Sequence, residues 1–356
     1  MRIVLHVGSN KTGSTAIQDT CASHRAELAR FGLLYPDLGG KTHHSELLPA
    51  VLDDEEYRGN FGRTSAEGRT ASIERAEQLW LALSEQVDAA VPEVLLLSSE
   101  FCFGMRPQSF ERLIARLSPM ASTIDVVVYL REPASHYLSS AQQILKYGGW
   151  VKDPREAQEY TLKLRKLHRL VPGEVTMRRF SRDELFRKDV SMDLLAQIFP
   201  KRTVREMTIA PATSNAALSA EAMSLLVKFN RSVWQDRRKA GNSVNQALLV
   251  AIEAEQKKND YTRAELRPEI RDIIHRVHLA DMTTLKSEFG LTFPTFRYDV
   301  PRVAGDDDEA RLAALEVDDI VSLHADKEAQ LQYAVMANLA RRASKPDVAG
   351  MPQQPS

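Results

Sequence analysis

Three uninterrupted apolar runs stand out from a chain whose pattern is otherwise amphipathic. "RIVLHV" at residues 2–7, "EVLLLSS" at 93–99 and "IDVVVYL" at 124–130 are each of strand length and bounded by polar residues. Strands buried on both faces of a parallel sheet have this pattern. The first run breaks at Gly8, and "STAIQDTCASHRAELARF" then reads as one helix up to Gly32, giving strand, glycine loop, helix. "GLLYP" predicts a second strand, and residues 37–66, rich in Gly, Asp, His and Asn, predict an irregular excursion. Helices follow over about Thr70 to Ala90 and Pro107 to Leu117, then in "ASHYLSSAQQILKY" and near Glu156 to Leu170, and "EVTMRRF" is a further strand. This alternation predicts an α/β fold with a doubly wound parallel sheet. From about Ser219 onward the periodicity is helical, with a surface loop at "RVAGDDDEAR" and a last helix near Val317 to Arg342. The expected organisation is one domain over 1–343, with an α/β core at 1–205 and a mainly helical extension at 206–343. Residues 344–356 read as a disordered tail.

Composition narrows the function without naming it. The 356 residues are 43% hydrophobic and 27% charged with a formal net charge of -1, so no global field draws the chain to nucleic acid or membrane. Any anion site must be local. Cys21 and Cys102 are the two cysteines, which implies no disulfide framework and a reducing compartment. No leader-like segment opens the chain and no apolar run is long enough to span a bilayer, so a cytoplasmic location is expected. No aromatic platform interleaved with basic residues supports nucleic-acid binding.

The chemistry begins at "HVGSNKTGST", residues 6–15. A glycine loop between a buried strand and a helix aims backbone N–H groups and the positive helix end at an anion. Gly8 and Gly13 have the spacing of the common triphosphate loop, G-x-x-x-x-G-K-[ST], but Ser14 stands in the lysine position and Lys11 lies two residues before Gly13. The loop can cradle a phosphate with its point charge on the other arm of the turn. A second grip is read at "YLREPASHYLSS": Arg131 ends a buried strand and Ser139 follows eight residues later on a helix. Strand ends of an α/β sheet open onto one crevice, so Arg131 and the first loop should share it. Two grips suggest a nucleotide phosphorylated at two places.

Together these segments resemble bacterial sulfotransferases that use 3′-phosphoadenosine 5′-phosphosulfate, whose loop has the form H-x-G-x-x-K-T-G-[ST]-T. The resemblance implies a three-layer, P-loop-type sheet with helical C-terminal additions and no required metal. It implies that the Gly8 loop, with Lys11, Thr12, Gly13, Ser14 and Thr15, binds the 5′-phosphosulfate, and that Arg131 and Ser139 bind the 3′-phosphate. Phe180, after the "EVTMRR" strand, is similar to the family's aromatic position and would pack near the adenine. The likeness is closest over residues 1–20 and 124–146, looser over 93–101 and 174–199, and slight in the helical third around "TSNAALSAE". Two positions depart from the family: Glu132 replaces a frequent aspartate, and His136 an arginine. The Arg-Lys-Gly element of animal cytosolic members has no good copy here, "RRKAG" at 237–241 being the nearest.

Transfer to a hydroxyl needs a base near the acceptor proton. Glu100, at the end of "LLLSSE", is the first candidate, with an ion pair to Arg131 or a helix N-terminal charge as its ordinary structural alternatives; His43 and His44 in "KTHHSELL" are the rivals. His6, inside the first strand, reads as a packed residue behind the loop. Neither histidine cluster has zinc spacing. The resemblance implies a hydroxyl-bearing acceptor, a carbohydrate or glycolipid. A kinase with an altered loop, and a nucleotide-binding scaffold without transfer, are the alternatives. Residues 163–188 carry nine Lys and Arg against three acids, which reads as a solvated face with a few groups available to an anion.

Overall fold

The computed structural model describes residues 1–61, 65–212, 217–233, 243–300, 312 and 315–344. The basic stretch at 237–241, the loop at 302–311 and the tail at 345–356 lie outside the described residues. Two compact units are interleaved along the chain. The first comprises Met1–Glu132, Gln158–Ser214 and Ala280–Phe296, and the second Pro133–Ala157, Asn215–Leu279 and Arg297–Ser356. Residue 205, near which a division is expected, lies inside the first unit, and the chain leaves that unit after Ser214.

The first unit is built on a five-stranded, all-parallel sheet. Its strands are β1 (Arg2–Val7), β2 (Leu33–Leu34), β3 (Val94–Ser99), β4 (Thr123–Leu130) and β5 (Val175–Arg179), in the order β2-β3-β1-β4-β5. The apolar runs lie in the three central strands because both faces of the sheet are covered. On one face Val4, Leu96, Val127 and Tyr129 pack with α1 (Ser14–Ser23), α2 (Arg25–Arg30) and α9 (Val190–Ile198). Leu5 and Leu97, of opposite parity, line a small cavity with Leu48, Cys102 and Leu113 of α6 (Pro107–Leu117). β1 leads to β2 on one side of the sheet, whereas its neighbour β4 leads to β5 on the other. A crevice therefore opens outside the carboxyl ends of β1 and β4.

Two local expectations change. The first helix breaks at His24, which has φ -119° and an Nδ1 bonded to the Thr20 carbonyl at 2.9 Å. His24 Nε2 meanwhile accepts the amide of Ala210 at 3.2 Å, so the side chain trades helix continuity for a tertiary contact. The excursion at 37–66 contains a 3₁₀ segment, Ser45–Ala50, and helix α3 (Asp54–Phe61), and α4 (Ala66–Ala90) begins four residues earlier than expected because Ser65 caps it through the Gly68 amide. The connections around the sheet are α5 (Phe101–Gly104), α8 (Tyr160–Leu170) and α10 (Lys201–Glu206).

The second unit is helical. It contains α7 (Pro133–Leu145), α11 (Ala220–Val233), α12 (Ser243–Gln256), the first half of α13 (Pro268–Phe289), and helices Val317–Ile320 and Ala325–Ala343. Its own core gathers Tyr137, Met223, Leu226, Ile252, Ile274 and Leu331. Among the described residues no helix is long and apolar enough to cross a membrane.

Polar groups buried in the first unit are spent on joining elements. The carboxylate of Asp193, fully buried on α9, accepts from Tyr129 Oη at 2.8 Å, Arg178 Nη2 at 2.8 Å and the Phe186 amide at 2.8 Å, tying α9 to β4 and β5. Near the other edge, Ser98 is a junction. Its Oγ meets His6 Nδ1 at 2.8 Å and Gln18 Nε2 at 3.1 Å, while its amide donates to His44 Nδ1 at 2.9 Å and its carbonyl accepts the His44 amide at 2.9 Å. His44 Nε2 then reaches the Pro36 carbonyl at 3.2 Å. The loop before α3 is thereby stitched onto β3.

Replacing Asp193 by Asn removes a buried charge that accepts hydrogen bonds from three residues, and should lower the unfolding free energy by about 3 kcal/mol. Arg178→Met should cost less, because 33% of the arginine side chain is exposed. Urea denaturation measures both, and a loss below about 1 kcal/mol for Asp193→Asn contradicts this account. Burial lowers the pKa of both His6 and His44 from 6.5 to about 4. Between those values the unfolded chain binds protons that the folded chain refuses, so stability is complete above pH 6.5 and lost as pH falls toward 4. Each ring contributes at most about 3 kcal/mol to that loss. His44→Asn should flatten the acid limb of unfolding free energy against pH by up to one proton; an unchanged limb means that His44 is not held neutral.

Candidate functional site

The loop between β1 and α1 is tightly curled. Lys11 has φ 65° and Gly13 φ 81°, so two residues flanking Thr12 adopt the left-handed region, which costs a lysine roughly 1 kcal/mol. The Thr12 hydroxyl donates to the Ser9 carbonyl and closes the turn on itself. That hydroxyl, named for ligand binding from the sequence, is spent on loop shape. Gly13 precedes the first turn of α1, and a Cβ there would lie 2.9 Å from Val190 Cγ1 and 3.0 Å from the Phe180 ring. Gly8 is hemmed in likewise: a Cβ would stand 2.3 Å from Ser14 Oγ and 3.1 Å from Glu100 Cγ. Ser14 is buried at the first position of α1, and its Oγ has no hydrogen-bond partner among the described residues. Buried hydroxyls are rarely left so, and this one sits where the helix dipole and first-turn amides favour an anion. Thr15, next on the helix, is exposed.

Arg131 comes to this loop from the end of β4. Its Nη1 donates to the Lys11 carbonyl at 2.9 Å, and its guanidinium lies over the Phe180 ring, 5.4 Å from the centroid. Phe180 follows β5, and its amide bonds to the Leu130 carbonyl at 2.7 Å, so the β4–β5 ladder fixes the ring between Gly13 and Arg131. Among the described residues no carboxylate forms an ion pair with Arg131; burial lowers its pKa, partly opposed by Tyr160 and Glu132, and a guanidinium stays charged regardless. A half-buried cation whose only hydrogen-bond partner is one carbonyl is incomplete, and an anion completes it. Tyr160, fully buried at the start of α8, donates to the Arg131 carbonyl at 2.8 Å, and the α8 amides of Tyr160 and Thr161 are capped by Asp281 at 2.9 and 3.0 Å.

The proposed bases fall into distinct environments. Glu100 lies at the end of β3, next to β1, with its side chain against Gly8 and no hydrogen bond or ion pair among the described residues. The Arg131–Glu100 pair considered from the sequence does not form. His44 has both ring nitrogens engaged, which leaves it no lone pair for an acceptor proton. His43, half-buried, accepts the Ser45 amide on Nδ1 at 3.3 Å, so its neutral ring presents N–H rather than a lone pair at Nε2. His6 is packed behind the loop as its position in β1 suggests. Ser139 lies half-buried on α7, in the second unit.

The first unit therefore brings together Gly8, Lys11, Gly13, Ser14, Glu100, Arg131 and Phe180 at the carboxyl ends of β1, β3, β4 and β5. Much of the basic stretch at 163–188 is occupied instead with acids: Arg165 with Glu288, Arg178 with Asp193, Arg179 with Glu184. Among the described residues no group of three His, Cys, Asp or Glu side chains could hold a metal ion. Tyr160 and Val190 are contributors that the sequence did not reveal, since each looks like an ordinary helix residue and acquires its place only through packing. Comparisons with protein-family models, with curated proteins and with solved structures find no match to this chain.

Proposed function

We propose that the chain is a sulfotransferase of P-loop type, moving a sulfuryl group from 3′-phosphoadenosine 5′-phosphosulfate to a hydroxyl, with a carbohydrate or glycolipid as the acceptor class and the cytoplasm as its location. The observation that carries the reading is the contact between Arg131 and the Lys11 carbonyl, which joins an unpaired cation at the end of β4 to an anion-ready loop at the end of β1. One anionic group would lie on the loop amides, Ser14 Oγ and Lys11, and a second would be taken by Arg131. Phe180, already stacked under Arg131, offers its edge to a base.

In this reading the acceptor oxygen attacks sulfur in line as the bond from sulfur to the bridging phosphate oxygen breaks. Lys11 stabilises the negative charge that gathers on the leaving phosphate, and Glu100 removes the acceptor proton. Glu100 is favoured over the histidines because its carboxylate is uncommitted while His44 and His43 use lone pairs on backbone amides. Lysine and backbone donors suffice for a single phosphosulfate, so no metal is invoked.

One observation favours a second reading. Glu100 and Ser14 both press against Gly8, and a carboxylate beside a loop hydroxyl is a pair that can hold magnesium on a nucleotide phosphate. A kinase built this way would need the metal, whereas the sulfotransferase would not.

Calorimetry with 3′-phosphoadenosine 5′-phosphate tests the donor. Binding by the wild type should weaken about 10- to 100-fold in Lys11→Ala, the worth of one charge-assisted contact. Absence of wild-type binding sinks the assignment. Glu100→Gln should keep the nucleotide affinity and lose turnover, and turnover that disappears on chelation of magnesium, with ATP as donor, transfers the site to the kinase reading.

A further inference from the structure

Glu100 precedes α5, a single turn of four residues, and one turn has too few internal bonds to be stable alone. Its shape is imposed from outside. Lys166, on α8 and only 7% exposed, directs its ammonium to the carbonyls of Cys102, Phe103 and Met105 at 3.2, 2.9 and 2.8 Å. All three N–H donors are thus spent on the last carbonyls of one turn. The same ammonium lies 5.1 Å from the centroid of the Phe110 ring. From the opposite side Glu56, buried on α3, accepts the Arg106 amide at 2.7 Å. The segment 101–106 is held by a cation on its carbonyl end and a carboxylate on the amide that follows.

Burying an ammonium is costly, and an apolar residue could fill the same volume without that cost. Burial draws the Lys166 pKa down to about 8, with Cys102 and Glu56 favouring the charge and Lys163 opposing it. The charge is therefore held against its own hydration at neutral pH. A helix C-terminus gathers carbonyl dipoles that a cation satisfies, but three bonds on a four-residue turn far exceed ordinary capping.

We propose that Lys166 is a positioning residue for Glu100: by clamping the carbonyls of α5 it fixes the direction in which the preceding carboxylate meets the Gly8 loop. The proposal rests on the reading of Glu100 as the base. Without the clamp, Cys102, Phe103 and Met105 lose their shared donor, the turn frays, and Glu100 is no longer held against Gly8 while the loop, Arg131 and Phe180 are untouched. The effect belongs to turnover and not to donor affinity.

The test is a double-mutant cycle on the full chain, read by turnover, by calorimetry with 3′-phosphoadenosine 5′-phosphate and by amide exchange. Lys166→Met should lower kcat at least tenfold with nucleotide affinity within twofold of wild type. It should also speed exchange of the Met105 amide, which closes the turn on the Cys102 carbonyl, at least tenfold relative to amides of β1 and β4. In a Glu100→Gln background the same substitution should leave residual turnover unchanged, because the residue it positions is gone. Lys166→Arg, which keeps a cation with several donors, should recover part of kcat. Equal losses with and without Glu100, or a Met105 amide as protected in Lys166→Met as in wild type, overturn the proposal. Amide exchange reads the clamp without any donor, so a clamp that holds alongside absent nucleotide binding would locate the error in the donor reading and not in the role of Lys166 toward α5.

Discussion

The candidate site depends on the absence of one side chain. Gly8 ends the first strand, and the space a Cβ would occupy is taken by Ser14 Oγ at 2.3 Å and approached by Glu100 Cγ at 3.1 Å. A Cβ there would force the Ser14 hydroxyl and the Glu100 side chain out of their present positions. The glycine thus lets a helix N-terminus, an uncommitted carboxylate and a curled loop converge within a few ångströms. Gly13 performs the companion task on the far side, where Val190 and Phe180 come nearer than a Cβ would comfortably allow. Backbone shape and side-chain chemistry are here one constraint: the loop must be thin in order to be surrounded.

Around this point the fold spends its buried polar groups on orientation. Ser98 joins β1, α1 and the His44 loop, Asp193 joins β4, β5 and α9, and Lys166 gathers the carbonyls of α5. Each lies close to a strand end that faces the crevice, and each satisfies more than one partner. Partly satisfied buried groups are expensive, so the exceptions carry information. Among the described residues Ser14 Oγ has no partner, and Arg131 has one carbonyl and no acid. Both stand by the carboxyl ends of the adjacent strands β1 and β4, where the proposed polyanion would lie.

The sheet was legible because its strands are buried on both faces, and the mainly apolar stretches that fill β1, β3 and β4 leave little else for them to be. The glycine loop and the arginine at a strand end were legible for the same reason: their positions follow from where a strand must stop. Interleaving of the two units was not, since α7 follows β4 without a compositional break and Glu132 and Pro133 give no sign that the chain changes unit. His44 illustrates a different limit. Its sequence neighbourhood is that of a polar surface loop, yet the backbone of Ser98 takes both its amide and its Nδ1, and that exchange depends on a residue 54 positions away. Lys166 was visible only as one of a run of basic residues, because what distinguishes it from Arg165 is burial against carbonyls that come from another element.

The displaced lysine gains its meaning from the arginine beside it. In a triphosphate loop the lysine follows the second glycine and shares the phosphates with a metal ion. Here the positive φ of Lys11 turns its carbonyl to Arg131, so the backbone of one cation is the hydrogen-bond acceptor of the other. Among the described residues Arg131 has no acid of its own and the uncommitted carboxylate, Glu100, faces Gly8 instead. An anionic ligand proposed at Arg131 would therefore displace no acid among the described residues, and Glu100 need not act as its counter-ion. That division leaves the carboxylate available for a proton, which is the arrangement a metal-free transfer to a hydroxyl needs.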